Sequence, residues 1–145
     1  MILGFKEKFT SGIQTRFAEK IIHAQDTAFC TNAHLMPKIH SLRIGERWKP
    51  GMSIEMAYGV RTKDYHQFNK GIKSLETCIS TQEIFMTYYN RKLEVSIDDE
   101  YQYYYAKQLL AKNDGLNLLQ FLSFFFPKGD GKWSGQIIHW TNFKY

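Results

Sequence analysis

The sequence predicts an α+β fold in which short strands curl into a small mixed barrel with flanking helices. Three observations carry that expectation. Several runs alternate apolar and polar residues with a period of two. A few others space apolar residues three or four apart, as an amphipathic helix does. Neither repeats nor low-complexity tracts interrupt them, and only three prolines occur in 145 residues, so the chain reads as a single domain over 1–145.

The elements follow in order. Ile2 to Phe5 reads as a first strand, and Thr15 to Ala24 as a short helix with Phe17, Ile21 and Ala24 on one face. Asp26 to Pro37 reads as a loop. From Ile39 the period becomes two, and Ser53 to Gly59 sets Ile54, Met56 and Tyr58 against Ser53, Glu55 and Ala57, the pattern of a half-buried strand. Thr77 to Tyr88 and Leu93 to Ile97 flank Asn90-Arg91-Lys92 and are expected to pair as a hairpin. Asp98-Asp99 makes the next turn. Tyr104 to Lys112 follows as a helix carrying Leu109 and Leu110, closed by Asn113-Asp114-Gly115, where glycine is free to take the left-handed conformation. Leu116 to Phe126 is a further helix with Leu118, Leu119, Leu122, Phe125 and Phe126 as its apolar face, and Phe124-Phe125-Phe126 is assigned to the core. The turn-rich stretch Pro127 to Lys132 leads into a last strand, Gly135 to Thr141, with Trp140 buried.

Composition narrows the class. A length of 145 residues and a hydrophobic content of 43% allow a full core without a metal or disulfide staple. Cys30 and Cys78 are far apart and form no CxxC pattern, so no disulfide framework or structural zinc is expected, and a reducing cytoplasm fits. The apolar Met1 to Phe5 is followed at once by Lys6, Glu7 and Lys8. That leaves no signal-peptide core or membrane span, and the protein is expected to be soluble. His23, His34, His40, His66 and His139 show no HxH or HxxxH spacing, so neither a metal nor a cofactor is expected.

Charge is unevenly spread. Met36 to Pro50 and Arg61 to Lys73 each carry a net charge of +3, more together than the +5 of the whole chain. If the two segments fold near each other, they concentrate a positive field suited to a phosphate-bearing partner; the plainer reading is two solvated loops. Aromatic residues make up 16% of the chain, with nine Tyr and eleven Phe, enough to supply a stacking or interface surface as well as a core.

The densest chemistry lies in Lys38-Ile39-His40-Ser41-Leu42-Arg43, which places an amine, an imidazole, a hydroxyl and a guanidinium within six residues. On a regular strand Ser41 and Arg43 share a face and Lys38 points to the other. All three converge only if Lys38 lies in a bend before the strand, which Pro37 favours because it cannot donate to a ladder. A hydroxyl becomes a nucleophile only when a base takes its proton, and lysine serves as that base only if burial or a nearby cation lowers its pKa. Arg43 and His40 are candidates for that pressure, whereas a carboxylate beside Lys38 would hold the ammonium protonated as an electrostatic anchor. His40 either meets a base edge or is an ordinary satisfied histidine.

With these residues placed, the chain resembles the ASCH family, small domains of the PUA-like superfamily. The resemblance rests on Lys38-x-x-Ser41-x-Arg43 against the family's GxKxxExR or GxKxxTxR pattern, on Trp48-Lys49-Pro50-Gly51 leading into a strand, and on Leu110 to Gly115 before the Phe-rich helix. It spans about Phe9 to Trp140, with Met36 standing where the pattern has glycine and an unusually long loop before Lys38. It implies a PUA-like barrel and binding of RNA or modified nucleosides. The similarity to small bacterial acetylcytidine amidohydrolases further implies that Lys38 matches their lysine and Ser41 their threonine. Asp114 is the nearest candidate for their glutamate.

Three functional readings follow. The first is an RNA- or modified-nucleoside-binding module in which Lys38, His40, Ser41, Arg43 and Arg47 contact phosphate or base edge and Trp48 or Tyr58 stacks on the base. The second is an amidohydrolase of N-acylated cytidine-type nucleosides, with Ser41 as nucleophile, Lys38 as base or oxyanion partner, and Asp114 orienting Lys38. The third is a protein-interaction adaptor that uses the surface of Tyr101, Tyr103, Tyr104 and Tyr105. Separately from it, the plainer account of the site is that Lys38 and Asp114 form an ion pair tying the loop to the helix end while Ser41 caps a backbone group.

Overall fold

A computed structural model describes residues 1–25 and 36–145. Most of the expected loop over Asp26 to Pro37, including Cys30 and His34, lies outside the described residues.

The strands form two sheets. In the smaller, β1 (Ile2–Gly4) runs parallel to β3 (Glu55–Tyr58), which pairs antiparallel with β4 (His66–Gln67). In the larger, β2 (His40–Arg43), β5 (Ser80–Tyr89), β6 (Lys92–Ile97), β7 (Glu100–Tyr101) and β8 (Gly131–His139) are ordered β2-β8-β5-β6-β7, all antiparallel. The α+β class holds, but the expected barrel does not form: the sheets remain open and separate, with β2 and β7 as edges of one and β1 and β4 as edges of the other.

Turn chemistry fixes the larger sheet's meander. Asn90 and Arg91 both have positive φ, 51° and 62°, as do Asp98 and Asp99 at 49° and 65°. Two consecutive left-handed residues make the primed turn whose twist matches antiparallel strands, so each pair closes a two-residue hairpin, β5 to β6 and β6 to β7. Gly135 on β8 lies so close to β2 that an added Cβ would collide with the Arg43 carbonyl, so only glycine lets the two strands meet there.

Three helices cover the sheets among the described residues: α1 (Phe17–His23), α2 (Tyr104–Asn113) and α3 (Leu118–Phe125). Phe17 and Ile21 of α1, Leu110 and Ala111 of α2, and Phe121 of α3 join Leu3, Leu42, Met56, Ile137 and Ile138 in one core. The expected face of α3 is corrected in part. Leu119 is 79% exposed, and Phe121 is buried in its place. The capping box made by Asn117 and Gln120 starts the helix at Leu118, so positions 118, 121, 122 and 125 share the inner stripe and 119 rotates out.

The end of α2 determines where the functional residues lie. Leu116 N–H donates to the Ala111 carbonyl at 3.0 Å and Gly115 N–H to that of Lys112 at 2.9 Å, with Gly115 at φ 74°. That pattern is a Schellman stop, and it leaves Asp114 at the cap position facing the chain that enters β2.

Candidate functional site

Lys38 reaches this helix end from the segment before β2. Its N–H donates to the Lys20 carbonyl of α1 at 3.3 Å, and the next residue, Ile39, donates to the Asn113 carbonyl at 2.9 Å, so Lys38 and Asp114 face each other as an isolated antiparallel bridge. Gly115 eases the approach, since a Cβ there would sit 3.0 Å from the Lys38 Cβ, tighter than nearly all such contacts, and would push the lysine away. Lys38 thus lies in the bend outside the strand proper, while Ser41 and Arg43 lie within it.

The Lys38 side chain is only 2% exposed. Its ammonium donates to the Asp114 carboxylate and, at 3.0 Å, to the Asp114 carbonyl, and it lies 4.7 Å from the Phe17 ring centroid and 5.8 Å from that of Phe5. Lys20 donates to the Gly115 carbonyl at 2.6 Å. Two cations therefore occupy the C-terminal end of α2, where unsatisfied carbonyls and the helix dipole favour positive charge and where the Asp114 carboxylate alone would be disfavoured.

Lys38, Ser41, Arg43 and Asp114 line one cavity of about 200 Å³, together with Gly4, Phe5, Lys6, Phe17 and Phe124. Burial pushes the Lys38 amine down to about 8; the Asp114 carboxylate opposes that shift, and Arg43 and Lys20 add to it. At neutral pH the side chain is still an ammonium, with two of its three N–H groups on Asp114 and, among the described residues, no partner for the third. Burial raises the Asp114 carboxyl against the pull of Lys38, Arg43 and Lys20. Arg43 stacks over Phe5 at 5.2 Å and donates to the Leu42 carbonyl at 2.8 Å and to the Gly4 carbonyl, which ties β2 to β1 across the two sheets. Burial lowers its guanidinium, which remains charged at neutral pH. The Ser41 hydroxyl makes no hydrogen bond with Lys38.

His40 is fully buried on the opposite side of β2 from Ser41. Its Nε2 lies 2.8 Å from the Tyr145 hydroxyl and its Nδ1 3.8 Å from the Asp114 carboxylate. Burial, then the charge of Lys38, lowers its pKa well below the usual histidine value. It is neutral at pH 7 and exerts no cationic pressure on Lys38; Lys20, unmarked in the sequence, takes that role beside Arg43.

Other expected residues lie elsewhere. Trp48 is 4% exposed and its backbone is held by the Gln136 side chain through bonds of 3.0 and 3.2 Å; it packs in the core and borders the neighbouring groove, not the Lys38 cavity. Tyr58 accepts from the Ala18 N–H at 2.8 Å and packs on Phe68, also outside that cavity. Arg47 lines a wider neighbouring groove of about 860 Å³ that also contains Arg43, Arg61, Tyr65, Phe124 and Trp133. One cation from each of the two basic segments, Arg47 and Arg61, therefore meets in one groove. Tyr101, Tyr103, Tyr104 and Tyr105 are all exposed.

The cavity's aromatic walls were not identifiable from spacing. Phe5 follows β1 and Phe17 opens α1, apart in the chain, and the leucine spacing around Phe124 points to the core. Phe124 is only partly buried and borders both the cavity and the groove. Among the described residues no group of three potential ligands could hold a metal, and no helix is long and apolar enough to cross a membrane. No protein-family model, curated protein or solved structure matches the chain.

Proposed function

We propose that the chain binds RNA or a modified nucleoside, seating one base over Lys38 and the adjoining sugar-phosphate in the Arg47–Arg61 groove. The ASCH-like motif around Lys38, Ser41 and Arg43 motivates this reading. The observation that supports it best is the composition of the cavity: a buried ammonium with one N–H uncommitted among the described residues, a serine hydroxyl and a carboxylate beside three phenylalanine rings. Rings take the faces of a base, and the polar floor takes its edge. A volume of about 200 Å³ falls below the roughly 300–1,000 Å³ of pockets for drug-sized ligands, and so suits a single base. Arg47 and Arg61 supply phosphate contacts next to it.

Fluorescence anisotropy with labelled single-stranded RNA tests this reading, backed by competition from free N-acylated cytidine. Affinity should fall steeply with added salt, and Arg47→Ala or Arg61→Ala should each flatten the salt slope by about one. An absence of binding at low salt would overturn the proposal.

The amidohydrolase reading is the second. It is favoured by the lowering of Lys38 to about 8 in the same cavity as Ser41. Against it, the ammonium donates to Asp114 and not to Ser41, which suits an anchor better than a general base. Mass spectrometry of acylated nucleosides incubated with the protein decides the matter. Turnover that is lost in Ser41→Ala would establish hydrolysis, and intact nucleosides would exclude it.

A further inference from the structure

Behind the Lys38–Asp114 pair, β2, α2 and the segment after β8 bring together His40, Asn113, Asp114 and Tyr145. The Asn113 amide donates to the Tyr145 hydroxyl at 3.0 Å, and that hydroxyl lies 2.8 Å from His40 Nε2. A phenol has one hydrogen. That oxygen can accept from Asn113 and still donate its own hydrogen to Nε2; in that arrangement the imidazole accepts at Nε2 and its single ring proton lies on Nδ1. Nδ1 is buried, has no hydrogen-bond partner among the described residues, and lies 3.8 Å from the same Asp114 oxygen that receives Lys38.

We infer that His40 is a positioning residue for Asp114: Tyr145 fixes its tautomer so that Nδ1–H faces the carboxylate and helps hold it toward Lys38. The opposite tautomer would put a lone pair against a carboxylate in a buried site, which is repulsive. A normal N–H···O contact is about 2.9 Å, so a shift of about 1 Å closes the bond. When a ligand draws the Lys38 ammonium into the cavity, the Asp114 oxygen it leaves thus has a second donor at hand. The groups facing the imidazole are Lys38 from the segment before β2, Asp114 from the end of α2, His139 from β8 with ring centroids 5.6 Å apart, and Tyr145. The functional weight of His40 rests on Lys38 and Asp114 being the working site, whereas its tautomer does not.

Long-range 1H–15N correlation spectra of the wild-type protein at pH 7 read the tautomer directly. The expected result is neutral His40 protonated at Nδ1, moving toward the Nε2–H form in Tyr145→Phe. Protonation at Nε2 in the wild type, or an imidazolium, would overturn the inference. A second readout is the Asp114 carboxyl pKa from its 13C shift. It should rise by about one unit in His40→Phe, which has no donor, and by less in His40→Gln, which keeps one. Equal values in both variants and the wild type would also overturn it. If neither variant folds, the wild-type tautomer alone decides. If His40 behaves as stated and RNA and nucleoside both fail to bind, the binding proposal falls and the positioning role stands.

Discussion

Lys38 and Asp114 lie 76 residues apart and are joined twice, by an antiparallel backbone bridge and by an ammonium that bonds both the carboxylate and the carbonyl of Asp114. With both side chains almost fully buried, neither charge can find water if the other is removed. Breaking a buried pair from one side typically costs about 3–5 kcal/mol, whereas replacing both partners by apolar groups is often close to neutral. Lys38→Met and Asp114→Leu should each destabilise the fold by about that amount, and the double variant Lys38→Met with Asp114→Leu by clearly less than the sum. Urea denaturation of the four proteins measures the cycle. Additive losses would show that the two side chains do not act as a pair.

Gly115 combines a positive φ of 74° with a Cβ position 3.0 Å from Lys38 and 3.2 Å from Lys20. Gly115→Ala should therefore cost about 1–3 kcal/mol, from left-handed strain and from displacement of the two lysines. Gly129 has a similar φ of 87° with nothing near its Cβ position, so Gly129→Ala should show only the strain. Matched denaturation curves compare them, with the larger loss expected at position 115.

Buried neutral histidines make stability depend on pH. Burial is the main cause of both shifts: His40 sits well below the usual 6.5, and His139 is pushed down to about 4. The unfolded chain takes up these protons below about pH 6.5 while the folded chain does not. Stability should then fall as pH drops from 6.5 toward 5, by at most about 2.7 kcal/mol per pH unit for two protons. Asp114, raised by burial, works in the opposite sense at more acid pH. Denaturation at stepped pH checks the slope, which should be smaller in His139→Gln; an unchanged slope would mean that His139 does not contribute.

Phe124 separates the groove from the cavity, and its ring meets Phe17 edge-on at 6.2 Å and Lys6 at 5.3 Å. Base stacking on an aromatic ring is worth about 1–3 kcal/mol by alanine substitution. Phe124→Ala should weaken RNA or nucleoside binding by about that amount, whereas Tyr104→Ala, far exposed on α2, should leave it unchanged. Isothermal titration of both variants makes the comparison.

Much of the fold was legible because local rules and tertiary context agreed. The period-two runs became β3, β5 and β6, and the Asn90 and Asp98-Asp99 turns formed where turn chemistry placed them. Gly115 took the left-handed stop. The α3 face was misjudged at Leu119 because one residue of phase separates an inward from an outward position, and only the Asn117 cap sets that phase. Barrel closure depends on which edges pair over long range, and periodicity carries no information about that. At the site, the motif marked Lys38, Ser41 and Arg43 because their residue types are uncommon together. Phe5, Phe17 and Lys20 carry no such mark: they meet Lys38 only because α1 and the end of β1 pack there. The same packing explains Trp48. A tryptophan beside a basic motif looks like a stacking platform; here it is almost fully buried in the core, with only an edge on the Arg47–Arg61 groove.

The most direct test follows the Lys38 side-chain nitrogen by NMR while single-stranded RNA or N-acylated cytidine is added at low salt. Binding over the cavity predicts saturable shifts at Lys38 Nζ, the Arg43 guanidinium and the Phe124 ring, with Tyr103 to Tyr105 unmoved. Saturable shifts confined to those tyrosines, or none at Lys38 for either ligand, would contradict it.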